Sequence, residues 1–436
     1  MNSWCGGICR VRRAACSTGS DAADGVKKIV AHPEIWTAER PSRWPEAPRN
    51  MSVTAVSEIE ACPRRWALRH ADYPKLWGGY GYPPRVHMGA LLGAMTHLAL
   101  ETIIREFIRT GCPSVKDATA VSVMRSLGGY TQVLDNCIDR VISRLQVNPR
   151  AQRHLEFSTR FLRARIPRVR TQVQAMLSRT RLEGRSRRHG RSSGFTTPLV
   201  TGTYAELEVS AKRIGWKGKL DLLAISPEAC EIIDFKTGAP SDVHRFQIEV
   251  YSLLWTLDEE RNPQGRSADR LILAYDNGQV EVSVPSPDRC KALEQELVER
   301  RAGARASVAQ RPPEAKPDPV HCRSCQVRHL CDEYWASEVV RTKRYDETRK
   351  MHFGDCEVTI AARHGPSSWD ARIERPWRGL HAVVRTTSEE LEVGDRLRLL
   401  DGALLLDEED PGQPWVITLG MMSEVFKVSR RTSSND

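Results

Sequence analysis

Three short runs between residues 199 and 238 restrict the fold more than anything else in the chain. "TYAELEVSAKRI", "GKLDLLAI" and "EIIDFKTG" are rich in β-formers, and only the turn sequences "GWKG" and "SPEA" separate them. That spacing predicts an antiparallel meander. The third run carries an anomaly. Ile232, Ile233 and Phe235 demand a core, yet Asp234 and Lys236 put opposite charges on one face of the same strand, because side chains alternate along it. An isolated Asp-x-Lys is most often a salt bridge at a strand end. A metal-dependent site is the alternative, and it requires partners elsewhere.

The flanking sequence supplies the rest of an α/β chain. "HRFQIEVYSLLWTLDEER" has helical periodicity, "ADRLILAYDNGQVEVSV" turns as a hairpin at Asn277–Gly278, and a helix follows over about 287 to 306. Upstream, Ser57 reads as an N-cap for a helix containing Cys62, unless Pro63 starts a second short helix. Residues 86 to 109 form the strongest helical pattern and stop at Gly111. A helical region with basic residues Arg160, Arg163, Arg165, Arg168 and Arg170 then runs to about residue 177. Residues 1–45 read as a flexible N-terminal extension, and 46–340 as the main domain. Residues 350–436 read as a small β-rich domain, either a barrel of the oligonucleotide-binding (OB) type or SH3-like.

Charge narrows the partners. A net charge of +10 over 436 residues favours a polyanion such as nucleic acid, or an anionic membrane surface. The most apolar stretch, Val86 to Ile108, is broken by His97, Glu101, Arg105 and Glu106, which argues against a membrane span. The N-terminus has no apolar core of the kind a signal peptide needs, so a cytoplasmic protein with no membrane partner is expected. "SRTRLEGRSRRHGRSSG", with Arg185, Arg187 and Arg188, reads equally as a solvated insertion or as an arm that contacts phosphates. No Gly-x4-Gly-Lys-Ser/Thr phosphate loop occurs, so any unwinding would need a separate helicase or other partner.

Asp221 lies on the strand before Asp234, and two adjacent antiparallel strands can bring the carboxylates together on one face. Paired carboxylates suit Mg²⁺ or Mn²⁺, which can assist attack on a phosphate. Lys236 could then orient water or stabilise the transition state. His97 shares a helix face with Gly93 and Glu101, and Gln247 shares one with Tyr251. Taken singly, these residues are more often core or capping residues. "CRSCQVRHLC" places Cys322, Cys325 and Cys331 at metal-ligand spacing. Zinc, with His321 or His329 completing the set, and an iron–sulfur cluster both remain open on spacing alone.

In chain order, Gly-x-x-x-His (Gly93, His97), Gly-x-x-Asp (Gly218, Asp221), Asp-x-Lys-x-Gly (Asp234, Lys236, Gly238) and Gln-x-x-x-Tyr (Gln247, Tyr251) resemble the RecB-like branch of the PD-(D/E)XK nuclease superfamily. The resemblance covers roughly residues 51 to 335. It implies a mixed central sheet flanked by helices, with a helical N-terminal region. His97, Asp221, Asp234 and the carbonyl of Phe235 would hold Mg²⁺ or Mn²⁺, Lys236 would be catalytic, and Gln247 and Tyr251 would support the site and contact DNA. A subset of that branch, including CRISPR-associated and AddB-type nucleases, has one cysteine before the nuclease motifs and Cys-x2-Cys-x5-Cys after them. Cys62, Cys322, Cys325 and Cys331 match, which implies a 4Fe–4S cluster, with zinc the alternative. The resemblance therefore implies a metal-dependent deoxyribonuclease acting on single-stranded DNA or duplex ends, in repair, recombination or phage defence. The competing readings are a binding protein of the same fold that no longer cuts, and a zinc-stabilised interaction protein.

Overall fold

The computed structural model describes residues 35–77, 81–183, 198–386, 391–405 and 413–428. It begins with a strand, β1 (Ile35–Thr37), within the stretch that the sequence suggests is a loose extension. The strand pairs in parallel with a strand near the C-terminal end, Ile35 opposite Val425, and Trp36 and Trp44 pack into the apolar interior nearby. A three-residue strand with a partner some 390 residues away leaves no periodicity to read.

Helices α1 (Val53–Ala61) and α2 (Pro63–His70) follow. Ser52, and not Ser57, caps α1 by accepting from the Ala55 amide at 3.2 Å. Cys62 is the junction between the helices. It is extended, and its Sγ accepts from the Arg65 amide at 3.4 Å, while Pro63 takes the first helical position, where a missing N–H costs nothing. After the short α3 (Pro74–Trp77) come α4 (Met88–Thr110), α5 (Ala120–Ser126), α6 (Gly129–Gln146), α7 (Leu155–Arg163) and α8 (Ile166–Arg179). Gly111 ends α4 in the left-handed conformation, φ 74°, which is why a glycine stands there.

Strands β2 (Gly202–Ala211), β3 (Trp216–Ile225) and β4 (Cys230–Lys236) form the antiparallel meander. Helix α9 (Asp242–Thr256) then crosses over to β5 (Arg270–Tyr275), which pairs in parallel with β4. The hairpin partner β6 (Gln279–Val282) completes a mixed sheet in the order β2-β3-β4-β5-β6. Helix α10 (Pro287–Ala309) joins α1 and α9 on one face around Trp216, Leu254 and Leu293. On the other face α4, α6 and α8 cover Leu222, Ile233, Phe235 and Ile272. Both faces of the sheet are dry, so a charge near its centre has to be matched locally.

Beyond α11 (Pro319–Arg323) and α12 (Asp332–Ala336), strand β7 (Arg344–Asp346) leads into the second sheet. Strands β8 (Met351–Gly365), β9 (Ser368–Arg375) and β10 (His381–Arg385) run antiparallel, and β10 pairs in parallel with β12 (Trp415–Thr418). Strand β12 pairs with β11 (Arg396–Leu405), which returns to β8. The ring β8-β9-β10-β12-β11 is thus closed around Val358, Ile373, Val384 and Ile417, and β13 (Glu424–Lys427) carries β1 at its edge.

Buried ion pairs join this ring to the rest. Arg150 grips Glu424 with two bonds of 2.7 and 2.8 Å, and both side chains are essentially inaccessible. Arg328 reaches Asp355 at 2.5 Å and Asp401 at 2.9 Å. Among the described residues no helix is long and apolar enough to cross a membrane.

Candidate metal centre and cysteine site

The sheet register assembles the acidic residues. In the β3–β4 ladder Leu222 faces Ile233, so the next step outward sets Asp221 beside Asp234. Asp221 Oδ2 accepts the Phe235 amide at 2.7 Å, so a carboxylate replaces a backbone acceptor where the ladder ends. On the other side, Ala205 faces Leu222 and Leu207 faces Leu220, which sets Glu206 opposite Asp221. Glu206 has φ 55°, a conformation that costs a non-glycine residue about 1 kcal/mol or more and is retained where the surroundings enforce it.

Both strands change phase at this step. Val209, Ala211, Trp216 and Leu220 face the α9 side, as do Tyr204, Leu223 and Ile225, although the parity reverses on each strand. The sheet is therefore kinked where its acids cluster. His97 approaches from α4, with Nδ1 3.6 Å from Asp221 Oδ1. Ligand atoms of His97, Glu206 and Asp221 all lie within 4.8 Å of one another. Gly93, one turn before His97, lets the helix come close: a Cβ there would stand 3.4 Å from Thr237 Oγ1.

Asp234 stands beside this triad and is only 3% exposed. Lys236 Nζ stands 2.6 Å from the buried Asp234 Oδ2, an ion pair inside a dry site. Burial pushes Asp234 up to about 6; the charge of Asp221 adds to this, while Lys236 and His97 oppose it. Burial works to lower His97, but the hydrogen bond and charge of Asp221, helped by Glu206 and Asp234, raise it above its ordinary value. A buried carboxylate lifted by burial and by a neighbouring acid marks a site that gains from a cation.

Lys236 is held from behind. It donates to Gln247 Oε1 at 2.9 Å, and Gln247 Nε2 donates to Tyr251 Oη at 2.6 Å. Tyr251 packs on Gly218, where a Cβ would meet the ring at 2.8 Å. The Gly-x-x-Asp glycine thus makes room for the Gln-x-x-x-Tyr tyrosine. In the described geometry Gln247 bonds the lysine, and Tyr251 bonds Gln247. Two further residues flank Lys236: Tyr275, its register partner on β5, and His244, whose Nδ1 lies 3.0 Å from Tyr275 Oη. Burial and the Lys236 charge lower His244. Arg185, Arg187 and Arg188 lie outside the described residues.

Glu206 is absent from the sequence reading. Its signal is the broken alternation: "KLDLLAI" places Leu220, Leu222 and Leu223 where a regular strand could not bury all three on alternate positions. Laying that break against "AELEV" would single out Glu206.

The second constellation is a small pocket lined by Cys62, Cys322, Cys325 and Cys331, with Arg64, Arg65 and Lys316 among the other walls. Burial pushes Cys325 up to about 11 and raises Cys322 and Cys331 as well. No three of these sulfurs fall within 4.8 Å of one another. A single tetrahedral zinc would hold its sulfurs about 3.8 Å apart, from Zn–S bonds of about 2.3 Å. His321 lines the cavity and bonds Asp318 at 2.6 Å. His329 is turned away, stacked on Phe426 at 3.7 Å and bonded to Tyr82 Oη.

A mixed α/β sheet with His97, Glu206 and Asp221 at its kink is the frame in which the family can be stated. The chain belongs to the PD-(D/E)XK nuclease superfamily, whose sequence profile matches residues 50–332. Membership implies a nuclease, and that superfamily typically uses a divalent metal. The solved structure titled "Crystal structure of SSO0001" is 18% identical, with a TM-score of 0.19 over 30% of this chain and 59% of that one. The chain thus spans about 59% of that protein's length. A murine DNA binding protein bound with ds DNA is 10% identical, with a TM-score of 0.16 over 55% of this chain and 100% of that one. Scores this low carry no argument about fold. No curated protein matches the chain.

Proposed function

We propose that the chain is a Mg²⁺- or Mn²⁺-dependent deoxyribonuclease of the RecB-like branch, stapled by a 4Fe–4S cluster. The observation that carries the hydrolase reading is the convergence of His97, Glu206 and Asp221 ligand atoms within 4.8 Å of one another, beside the buried Asp234–Lys236 pair. That donor set fits a divalent cation, and one imidazole among carboxylates favours Mn²⁺ over Mg²⁺. His97, Glu206, Asp221 and Asp234 would hold it, with the Phe235 carbonyl as a further donor.

When bound, the cation supplies Lewis-acid stabilisation of the charge that builds on the phosphate. The chain's own groups do the rest. Lys236 Nζ, fixed by Gln247, lies beside the carboxylate cluster and can orient a water oxygen for attack on phosphorus or bond a non-bridging oxygen as charge develops. Attack forms one P–O bond and breaks the ester P–O bond opposite it; the attacking water gives up one proton to solvent and the leaving oxygen takes one. The Gln247–Tyr251–Gly218 stack keeps the ammonium from wandering, which is where its catalytic advantage lies.

For the four cysteines we favour the 4Fe–4S cluster over zinc: no three of their sulfurs lie within 4.8 Å of one another, and basic side chains on the pocket wall suit a cluster of net negative charge. For domain organisation we take 46–340 as the nuclease unit and 350–436 as an accessory barrel. The closed ring β8-β9-β10-β12-β11, with one parallel pair between β10 and β12, its third and fifth strands in chain order, supports the OB-type alternative. Work in DNA repair, recombination or phage defence, alongside a separate helicase, suits such a chain.

The test is cleavage of end-labelled single-stranded, duplex and circular DNA by anaerobically purified protein with Mg²⁺ or Mn²⁺. Metal-dependent hydrolysis that vanishes in Asp234→Ala and Lys236→Ala supports the reading. Full activity in both variants removes it.

A further inference from the structure

The helices α6, α7 and α8, with their connections, hold ten arginines and no lysine against three acids, Asp135, Asp139 and Glu156, a large part of the chain's whole excess of positive charge. Some of these arginines are spoken for, Arg150 in its buried pair with Glu424 above all. Arg140, Arg144, Arg163, Arg165, Arg168 and Arg170 have no carboxylate partner among the described residues. All but the half-buried Arg165 are exposed. Arginines without acids on a folded surface repel one another, so this patch gains most from an external polyanion.

Aromatic rings are interleaved with them. The Arg165 guanidinium sits 3.6 Å from the centroid of Phe161, Phe157 lies 6.2 Å from Phe161, and Arg170 is 5.9 Å from the ring of Tyr130. Phe157, Phe161 and Tyr130 are half-buried, with ring surface still open.

Hydrogen bonds tie α8 to the end of β5, the strand next to the one that carries Asp234 and Lys236. Gln172 on α8 donates to Asp276 at 2.8 Å, and Arg179 donates to the Tyr275 carbonyl at 3.1 Å. Tyr275 is the register partner of Lys236. Arg168 lies one helical turn before Gln172 on the same face, and Phe161 lies further along.

We infer that the arginine–aromatic face of α7 and α8 is a binding track for single-stranded DNA, leading the strand to the metal centre. This rests on reading that centre as a nuclease. Phosphates meet the unpaired guanidinium groups, while unpaired bases stack on Phe161, Phe157 and the guanidinium plane of Arg165. A duplex hides its base faces and could use only the charge, so the interleaved rings select the single strand.

The experiment uses the full-length protein in EDTA, where cleavage is suppressed. Anisotropy of a fluorescent oligo(dT) of about 20 nucleotides is followed against salt. The double variant Arg163→Gln/Arg168→Gln is expected to bind about tenfold more weakly and to lower the slope of log K against log salt by about 1.4, two single-strand contacts. Its melting temperature and its metal-dependent hydrolysis of a small chromogenic phosphodiester stay as in the parent protein. Phe161→Leu weakens oligo(dT) and leaves a blunt duplex unaffected. Unchanged affinity and slope in the double variant, or equal losses on single strand and duplex, overturn the track. Failure of every form to hydrolyse the small ester counts against the nuclease reading alone, and the binding result still decides the track.

Discussion

Glu206 faces Asp221 across the β2–β3 ladder, and its backbone takes a left-handed φ of 55° to do so. Regular strand geometry would leave the two carboxylates to repel each other with no gain. Here the kink that strains Glu206 also carries its carboxylate to within 4.8 Å of the Asp221 carboxylate and the His97 imidazole. Glu206→Gln removes one charge from this group and leaves its shape. Mn²⁺ affinity, read by calorimetry, is expected to fall about 10–100-fold, and DNA cleavage with it.

The acid cluster destabilises the metal-free protein. The folded pKa of Asp234, about 6, exceeds its ordinary 3.8, so between those values the folded state binds a proton that the unfolded state has lost. Stability therefore falls as pH rises through that window and stays reduced above it. His97 acts in the same sense. Its raised folded value gives stability that is complete below its ordinary 6.5 and is lost as pH climbs through the folded value. Urea melts in EDTA are expected to show lower stability at pH 8 than at pH 5.5. Asp234→Asn should recover about 1–3 kcal/mol at pH 8 while abolishing cleavage. Mn²⁺ should stabilise the parent protein at pH 8 far more than the variant, because binding requires the deprotonated acid.

A methyl group at Gly218 would meet the Tyr251 ring at 2.8 Å. Gly218→Ala therefore displaces the tyrosine, and with it the Gln247 that holds Lys236. Turnover should drop about 10–100-fold with little change in metal affinity. Steady-state kinetics beside a metal titration separates this outcome from plain loss of the site.

Arg150 and Glu424 are both buried, and nearby arginines overcome the effect of burial to hold Glu424 well below the usual carboxylate range. Glu424→Gln leaves the guanidinium facing a neutral amide in a dry site. A loss of about 3–5 kcal/mol in urea denaturation is expected. The pair's contribution is present above the ordinary glutamate pKa and is lost as pH falls toward the depressed folded value, so the parent and variant curves should converge in acid.

Anaerobically purified protein is expected to be brown and to hold about four irons per chain. Cys325→Ser should be colourless and less stable by up to about 5 kcal/mol, since Cys62 and the later cysteines tie together distant parts of the chain. Colourless parent protein holding one zinc and no iron would contradict the assignment.

Local pattern made much of this molecule legible. The meander, the crossover helix, the hairpin at Asn277–Gly278 and the long helix ending at Gly111 all follow from periodicity and turn residues, which act over a few positions. The motif residues His97, Asp221, Asp234 and Lys236 are gathered by the resemblance to the RecB-like motif order, since singly each reads as a core or ion-pair residue. Glu206 escaped because its place depends on a phase change in two strands at once. Strand β1 escaped because its partner lies at the far end of the chain, and the strand order of the expected C-terminal barrel because the β10–β12 and β11–β8 pairings join strands that are not neighbours in sequence. The cap at Ser52 was missed for a smaller reason: Ser57 offers the same chemistry one helical turn later, and only backbone geometry separates them.

Anomalous scattering from a crystal soaked in Mn²⁺, with data collected at the manganese edge, tests the central claim most directly. A peak bonded by the His97 imidazole and the Asp221 carboxylate, with Glu206 or Asp234 completing the set, is the predicted result. A well-ordered soaked crystal with no peak there, or with manganese held by other residues, would contradict the account.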